Sequence, residues 1–207
     1  MSTRFGGRRR RLVEVFGGAR GGWGVLEVVF AVLDLVGFFD LYEAVTNALT
    51  PGIRGLRPEE LHFLRPIFGE SVPWELVRID ERAWVGPRFA RFYYVTFHTI
   101  NSWGPVPDHV LVHEVVHVWQ YVRRGAVYIP RALSAQWSEM GYNYGGLESL
   151  RCNERLEDFN YEQQADIIED FFRLSRGYRA QWHDLGPETM PDYLPYLREL
   201  WTEPPPP

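Results

Sequence analysis

The residues best able to do chemistry stand at His113-Glu114-Val115-Val116-His117, an H-E-x-x-H. On a helix, positions i and i+4 stack on one face, about 6 Å apart along the axis. Two imidazoles placed in that way can converge on one zinc ion through bonds of about 2.0–2.1 Å. Glu114 follows the first ligand and points partly aside, within reach of a zinc-bound water, where a general base must stand. The surrounding helix, His109 to Arg124, is apolar nearly all round, as a buried element should be. Ionisable groups there are costly to desolvate unless they are paired, so two histidines and a glutamate argue for a ligand. His109 extends the stripe, but it lies about 12 Å along the axis from His117 and cannot share an ion with it. It reads as a rim or capping residue.

A catalytic zinc takes a third protein ligand and keeps one position open for water. Downstream, Asn160-Tyr161-Glu162-Gln163-Gln164-Ala165-Asp166 puts Glu162 and Asp166 on one helical face beside a small residue, Ala165, that lets two helices approach closely. Glu162 reads as the third ligand. Asp166 reads as the acceptor of an N–H from a ligand histidine, His113, whose tautomer it would set. By itself this acidic stripe, continued by Glu169, would read as a solvated face; beside H-E-x-x-H it reads as part of the site. Spacing does not choose the group that would steady an oxyanion. Tyr142, Tyr144 and His183 are candidates, as are Tyr161 and Tyr178. Cys152, the one cysteine, reads as a bland thiol and excludes both a disulfide framework and a multi-Cys zinc cluster.

These residues resemble the gluzincin branch of the zincin metallopeptidases, in which a Glu on a second helix, followed four residues later by Asp, completes the site begun by H-E-x-x-H. The matching positions are His113, Glu114, His117, Glu162 and Asp166. More narrowly, LVHEVVHVWQY and NYEQQAD resemble small bacterial zincin-like domains, often found near secretion or injection-system genes. The likeness covers roughly residues 72–175. It implies that a substrate strand pairs with a sheet edge just before the metal helix, with residues 89–100 as the candidate edge.

The elements that must position these groups can be read from the same sequence. Val25 to Phe39 is the most apolar run and carries Glu27 and Asp34 on one face. It is shorter than the roughly 20 residues that span a bilayer, so a docked helix over about 25–49, ended by Pro51-Gly52, is expected. Residues 57–64 begin a short helical pattern, and residues 72–85 suggest strand and turn. Residues 89–100, dense in aromatic and β-branched side chains, give the strongest strand signal. Asp108 is expected to cap the metal helix and Gly125 to stop it. A second long helix is expected over about 153–175. The expected class is α+β, zincin-like: a small, twisted, mainly antiparallel sheet packed on the H-E-x-x-H helix, with the second ligand-bearing helix across from it.

Composition sets the outer limits. The chain has 207 residues, 45% hydrophobic and 24% charged, which suits one globular domain and argues against wholesale disorder. The net charge of -5 excludes the global basic field that grips nucleic acid. All the basic residues are Arg, and six of them fall within residues 1–20 against one Glu. Residues 1–22 are therefore expected to be a flexible basic arm, with contact to anionic lipid, nucleic acid or an acidic partner as the alternative. Residues 23–185 are expected to form a single zincin-like domain, and residues 186–207 a frayed, Pro-rich tail. No secretory leader is apparent, which predicts a cytoplasmic protein or one exported by another route. The function expected is a zinc-dependent peptidase acting on a peptide or protein, Glu114 activating the zinc-held water. The alternatives are a zinc-stabilised binding module and a latent peptidase. Oligomeric state is not legible.

Overall fold

In the computed structural model, which describes residue 8 and residues 21–50, 52–83, 92–138 and 140–202, the N-terminal apolar run forms two helices instead of the one expected over 25–49. Helix α1 (Gly21–Leu35) and helix α2 (Phe38–Leu49) are separated at Gly37, whose φ of 75° is a left-handed conformation that glycine adopts without a steric penalty. The break turns Phe39 into the core, where it stacks on Phe30 with ring centroids 5.4 Å apart. Of the expected arm, residues 1–7 and 9–20 lie outside the described residues. Arg8 pairs with Asp34 at 3.4 Å and Asp40 at 2.7 Å, and α1 already begins at Gly21.

Helix α3 (Pro58–Phe68) opens with a proline in its first turn, where the missing N–H costs nothing, and buries Leu64, Ile67 and Phe68. The sheet has three strands, β1 (Arg78–Asp80), β2 (Tyr94–Thr96) and β3 (Thr99–Asn101), in the order β1-β3-β2. It is small, as expected, but mixed rather than mainly antiparallel. β2 and β3 form an antiparallel hairpin, whereas β1 pairs in parallel with β3, because the chain crosses over between β1 and the hairpin before β3 returns along its flank. The strand expected over 89–100 is cut in two at Phe97-His98; residues 89–91 lie outside the described residues. Phe97 takes a φ of 61° there, and its ring packs against Phe39 and Tyr121 at 4.9 and 5.2 Å.

Helix α4 (Asp108–Arg124) carries H-E-x-x-H. Its N-cap is Pro107, and Asp108 is its first residue, so the expected side-chain cap by Asp108 is not formed. Gly125 ends α4 with a φ of 71° and an N–H donated to the Tyr121 carbonyl. A 3-10 turn (Gly125–Val127), helix α5 (Tyr128–Gln136) and helix α6 (Gly146–Cys152) follow. The long helix expected from 153 starts only at α7 (Tyr161–Ser175), because Asn160 caps it: its side chain accepts the N–H groups of Glu162 and Gln163 at 3.0 and 2.9 Å. α4 and α7 pack against each other, and Ala165 of α7 is fully buried.

The C-terminal segment is not frayed through residue 202. A 3-10 turn (Pro187–Asp192) leads into helix α8 (Leu194–Thr202). Tyr193, Tyr196, Leu197 and Leu200 are buried, and the Tyr196 hydroxyl donates to the carbonyls of Leu150 and Asn153 at 2.6 and 2.8 Å. Prolines therefore start turns here without preventing packing; residues 203–207 lie outside the described residues. The class is α+β, mostly helical. Among the described residues no helix is long and apolar enough to cross a membrane.

Candidate metal centre

α4 and α7 bring three donors to one point. The Glu162 Oε2 atom lies 3.4 Å from His113 Nε2 and 3.3 Å from His117 Nε2. All three side chains are buried, and their donor atoms fall within 4.8 Å of one another. The other carboxylate oxygen of Glu162 accepts an N–H from Gln136 of α5 at 2.8 Å, which fixes its rotation. Its Oε2 has no hydrogen-bond donor, although it is fully enclosed. Leaving a buried anionic oxygen in that state costs several kcal/mol unless a cation faces it.

A second layer orients the ligands. His113 Nδ1 lies 2.9 Å from Asp166 Oδ1 and 3.2 Å from Glu169 Oε2, close to two carboxylates though without an aligned hydrogen bond to either, and its Nε2 is turned toward Glu162. The indole N–H of Trp182 donates to the far oxygen of Asp166. His117 Nδ1 meets Gln120 Oε1 at 2.9 Å, and Gln120 in turn donates to Gln164 and to the Tyr161 carbonyl. Both imidazoles are thus held with Nε2 toward the common point.

Burial works against an imidazolium at His113, but Asp166, Glu162 and Glu169 outweigh it and hold the pKa well above its ordinary value. At His117 burial is likewise outweighed, mainly by Glu162. Burial acts to raise the Glu162 carboxyl, and the two histidines overcome it and leave the group below the usual carboxylate range. The shifts favour the protonated form of both histidines and the charged form of Glu162. Glu114, Glu162, Asp166, Glu169 and Asp170 are all buried nearby, an excess of carboxylates over the two imidazoles. The donor set of two histidines and one carboxylate has the composition of a catalytic zinc site, and protons and a divalent ion compete for it.

The ligand group opens on a cavity of about 390 Å³. Tyr93, Tyr94 and Val95 at strand β2 form one wall, and Ile129, Ala132 and Leu133 of α5 form another. β2 is an edge strand, and the carbonyl of Val95 accepts the hydroxyl of Tyr128. Glu114 lines the cavity with one buried oxygen lacking a hydrogen-bond partner, and burial raises its pKa.

The candidates for the oxyanion stabiliser separate cleanly. Tyr142 lines the cavity, its ring 6.0 Å from that of His113, and burial raises its hydroxyl pKa. Tyr144 is committed elsewhere, its hydroxyl shared with Asp170 and Tyr193 at 2.8 and 2.6 Å. His183 sits against Gly146 and bonds Asn143 at 2.8 Å, so it does not line the cavity. Tyr161 and Tyr178 line other depressions, the latter together with His109. Cys152 is exposed and apart from the donors. Sequence reasoning missed Gln120, Gln136 and Trp182, and named Glu169 only as the continuation of the acidic stripe. Gln120, three residues beyond His117 on the same helix, carried a readable signal; Gln136 and Trp182 come from segments whose placement no local pattern sets.

Comparison with known proteins adds one likeness. No family model matches the chain, and no solved structure matches it. The chain is 26% identical over 132 residues to the Type VI secretion system spike protein VgrG2b of Pseudomonas aeruginosa, across 58% of this chain and 13% of that protein. It therefore spans only a small part of that protein's length.

Proposed function

We propose that the chain is a zinc-dependent peptidase of the gluzincin type, with the ion held by His113, His117 and Glu162. The observation that carries this reading is the convergence of two buried histidines on an undonated oxygen of buried Glu162 at the end of an open cavity. A bound zinc ion supplies Lewis acidity, which polarises a carbonyl and makes water more acidic. Glu114 takes the proton of the attacking water and passes it to the leaving amine; burial, by raising its pKa, strengthens it as a base near neutral pH. The Tyr142 hydroxyl, kept protonated by burial, donates to the oxygen that becomes negative. Asp166, Glu169 and Gln120 hold the ligand histidines in the tautomer that turns Nε2 inward. The walls of β2 and α5 receive the polypeptide substrate.

The cavity favours hydrolysis over a purely structural ion, because a substrate can approach the donors from that side. The likeness to a Type VI secretion system spike protein supports export alongside such a spike. The test is cleavage of an unfolded protein such as casein by the zinc-loaded chain. Cleavage with about one zinc per chain is expected. Absence of zinc uptake would overturn the centre, and zinc uptake without cleavage of any polypeptide would overturn the activity.

A further inference from the structure

A second cavity, of about 410 Å³, shares no lining residue with the one at the metal centre. The C-terminal half of α4, residues 155–159 and Glu199 of α8 bound it. Arginines are concentrated there: Arg123 and Arg124 come from α4, Arg131 from α5 and Arg155 from the turn before α7. Trp119 lines the same cavity and is only 7% exposed. Its enclosed indole N–H meets no acceptor among the described residues. A buried donor left in that state costs free energy that an acceptor from outside the chain would return. Arg123 lies over the Trp119 ring, its guanidinium carbon 4.5 Å from the centroid. Burial, and after it the charge of Arg124, lower the Arg123 pKa against the pull of Glu199 and Glu157. Negative charge is therefore short at this spot.

The acidic residues of the lining are already engaged. Glu157 holds Arg155 at 2.6 Å and Arg124 at 3.4 Å. Asp158 accepts the backbone N–H groups of Glu154 and Arg155 at 3.2 and 2.9 Å, and Glu199 accepts that of Leu156 at 2.9 Å. None of them reaches the indole N–H. They do set the charge of an occupant, because three carboxylates in the lining repel a dianion such as phosphate more than a single negative charge. Leu156 and Phe159 add carbon surface. A water molecule would serve the indole N–H alone. A planar carboxylate on an apolar body serves the N–H, the guanidinium and the carbon wall together, and the volume suits a small molecule.

We propose that this cavity binds a small organic carboxylate, its oxygens on the Trp119 N–H and the Arg123 guanidinium and its carbon part on Leu156 and Phe159. The site does not depend on the zinc reading, although Gln120, which holds His117, also lines it.

The experiment is isothermal titration calorimetry of the full chain with 3-phenylpropionate and with 3-phenylpropionamide. About one acid molecule should bind per chain, and the amide, which lacks the charge, at least about tenfold more weakly. Arg123→Gln should weaken the acid about tenfold. Trp119→Phe, which keeps a ring and removes the N–H, should weaken it about fivefold. Circular dichroism checks that both variants fold, and the comparison of acid with amide on the parent stands without them. Acetylphenylalanine separates two sources of the carboxylate: tighter binding than 3-phenylpropionate assigns the site to the C-terminus of a peptide, and weaker binding to a free acid. Failure of both acids to bind overturns the proposal. So does equal binding of acid and amide, tighter binding of inorganic phosphate, or binding that a chelator abolishes and Arg123→Gln retains, which would place the acid on the metal centre.

Discussion

At the scale of single residues, the centre is a set of lone pairs aimed by their neighbours. To offer Nε2 as a donor His113 must carry its proton on Nδ1, and two carboxylates lie within 3.2 Å of that atom. Glu114 stands beside the three donors without joining them, which in the proposed mechanism separates binding from proton transfer. Glu114→Gln should bind zinc as the parent does and lower kcat on the order of 10³-fold; a metal analysis alongside the assay checks both halves. Tyr142→Phe tests the oxyanion donor. It should lower kcat by about 10²-fold with little change in KM, whereas a merely structural tyrosine would change stability and leave kcat near that of the parent.

At the scale of elements, the site depends on how closely α4 and α7 approach. Ala165, next but two to Glu162 on α7, is fully buried. Ala165→Leu should destabilise the fold by about 1–3 kcal/mol through overpacking and weaken zinc binding by moving Glu162, both readable by chemical denaturation and metal titration. One turn further along α7, burial pushes the Asp170 carboxyl up to about 7, against hydrogen bonds from Tyr144 and the Gln181 N–H. The folded state thus holds a proton there that the unfolded chain releases near pH 4. The native state binds more protons between those values, so this stabilisation is complete below about pH 4 and is lost as pH rises through about 7. Asp170→Asn, which mimics the protonated form, should flatten that decline. Unfolding curves at pH 5 and pH 8 would disprove the account if parent and variant changed alike.

At the scale of the molecule, an ion at this centre links two helices from distant parts of the chain, and ligand binding to the folded state alone stabilises it by mass action. Zinc at about a hundred times its Kd should add about 2.7 kcal/mol. For a chain of this size that raises Tm by about 5–10 °C. A melting temperature indifferent to added zinc and to chelator would show that the three donors hold no ion. The C-terminal segment shares in the whole-molecule packing: Trp201 donates to the Ile67 carbonyl at 2.6 Å, joining α8 to α3.

The sequence by itself determined the ligand face of α4, because helical periodicity alone stacks His113 on His117 and sets Glu114 aside. It also determined that Glu162 and Asp166 share a face, for the same local reason. Element ends were less legible where one residue overrides a periodic pattern. Gly37 breaks an apolar run that reads as one helix, and Asn160 starts a helix that reads as longer. Sheet direction was not legible at all, since parallel pairing of β1 with β3 depends on a crossover that no short pattern encodes. Tertiary structure alone put Tyr142 on the cavity and left Tyr144 and His183 off it, seated Gln136 and Trp182 on the carboxylates, and packed residues 187–202 against the core. Each of these depends on contacts between residues far apart in the chain, whose geometry exists only once the helices have packed.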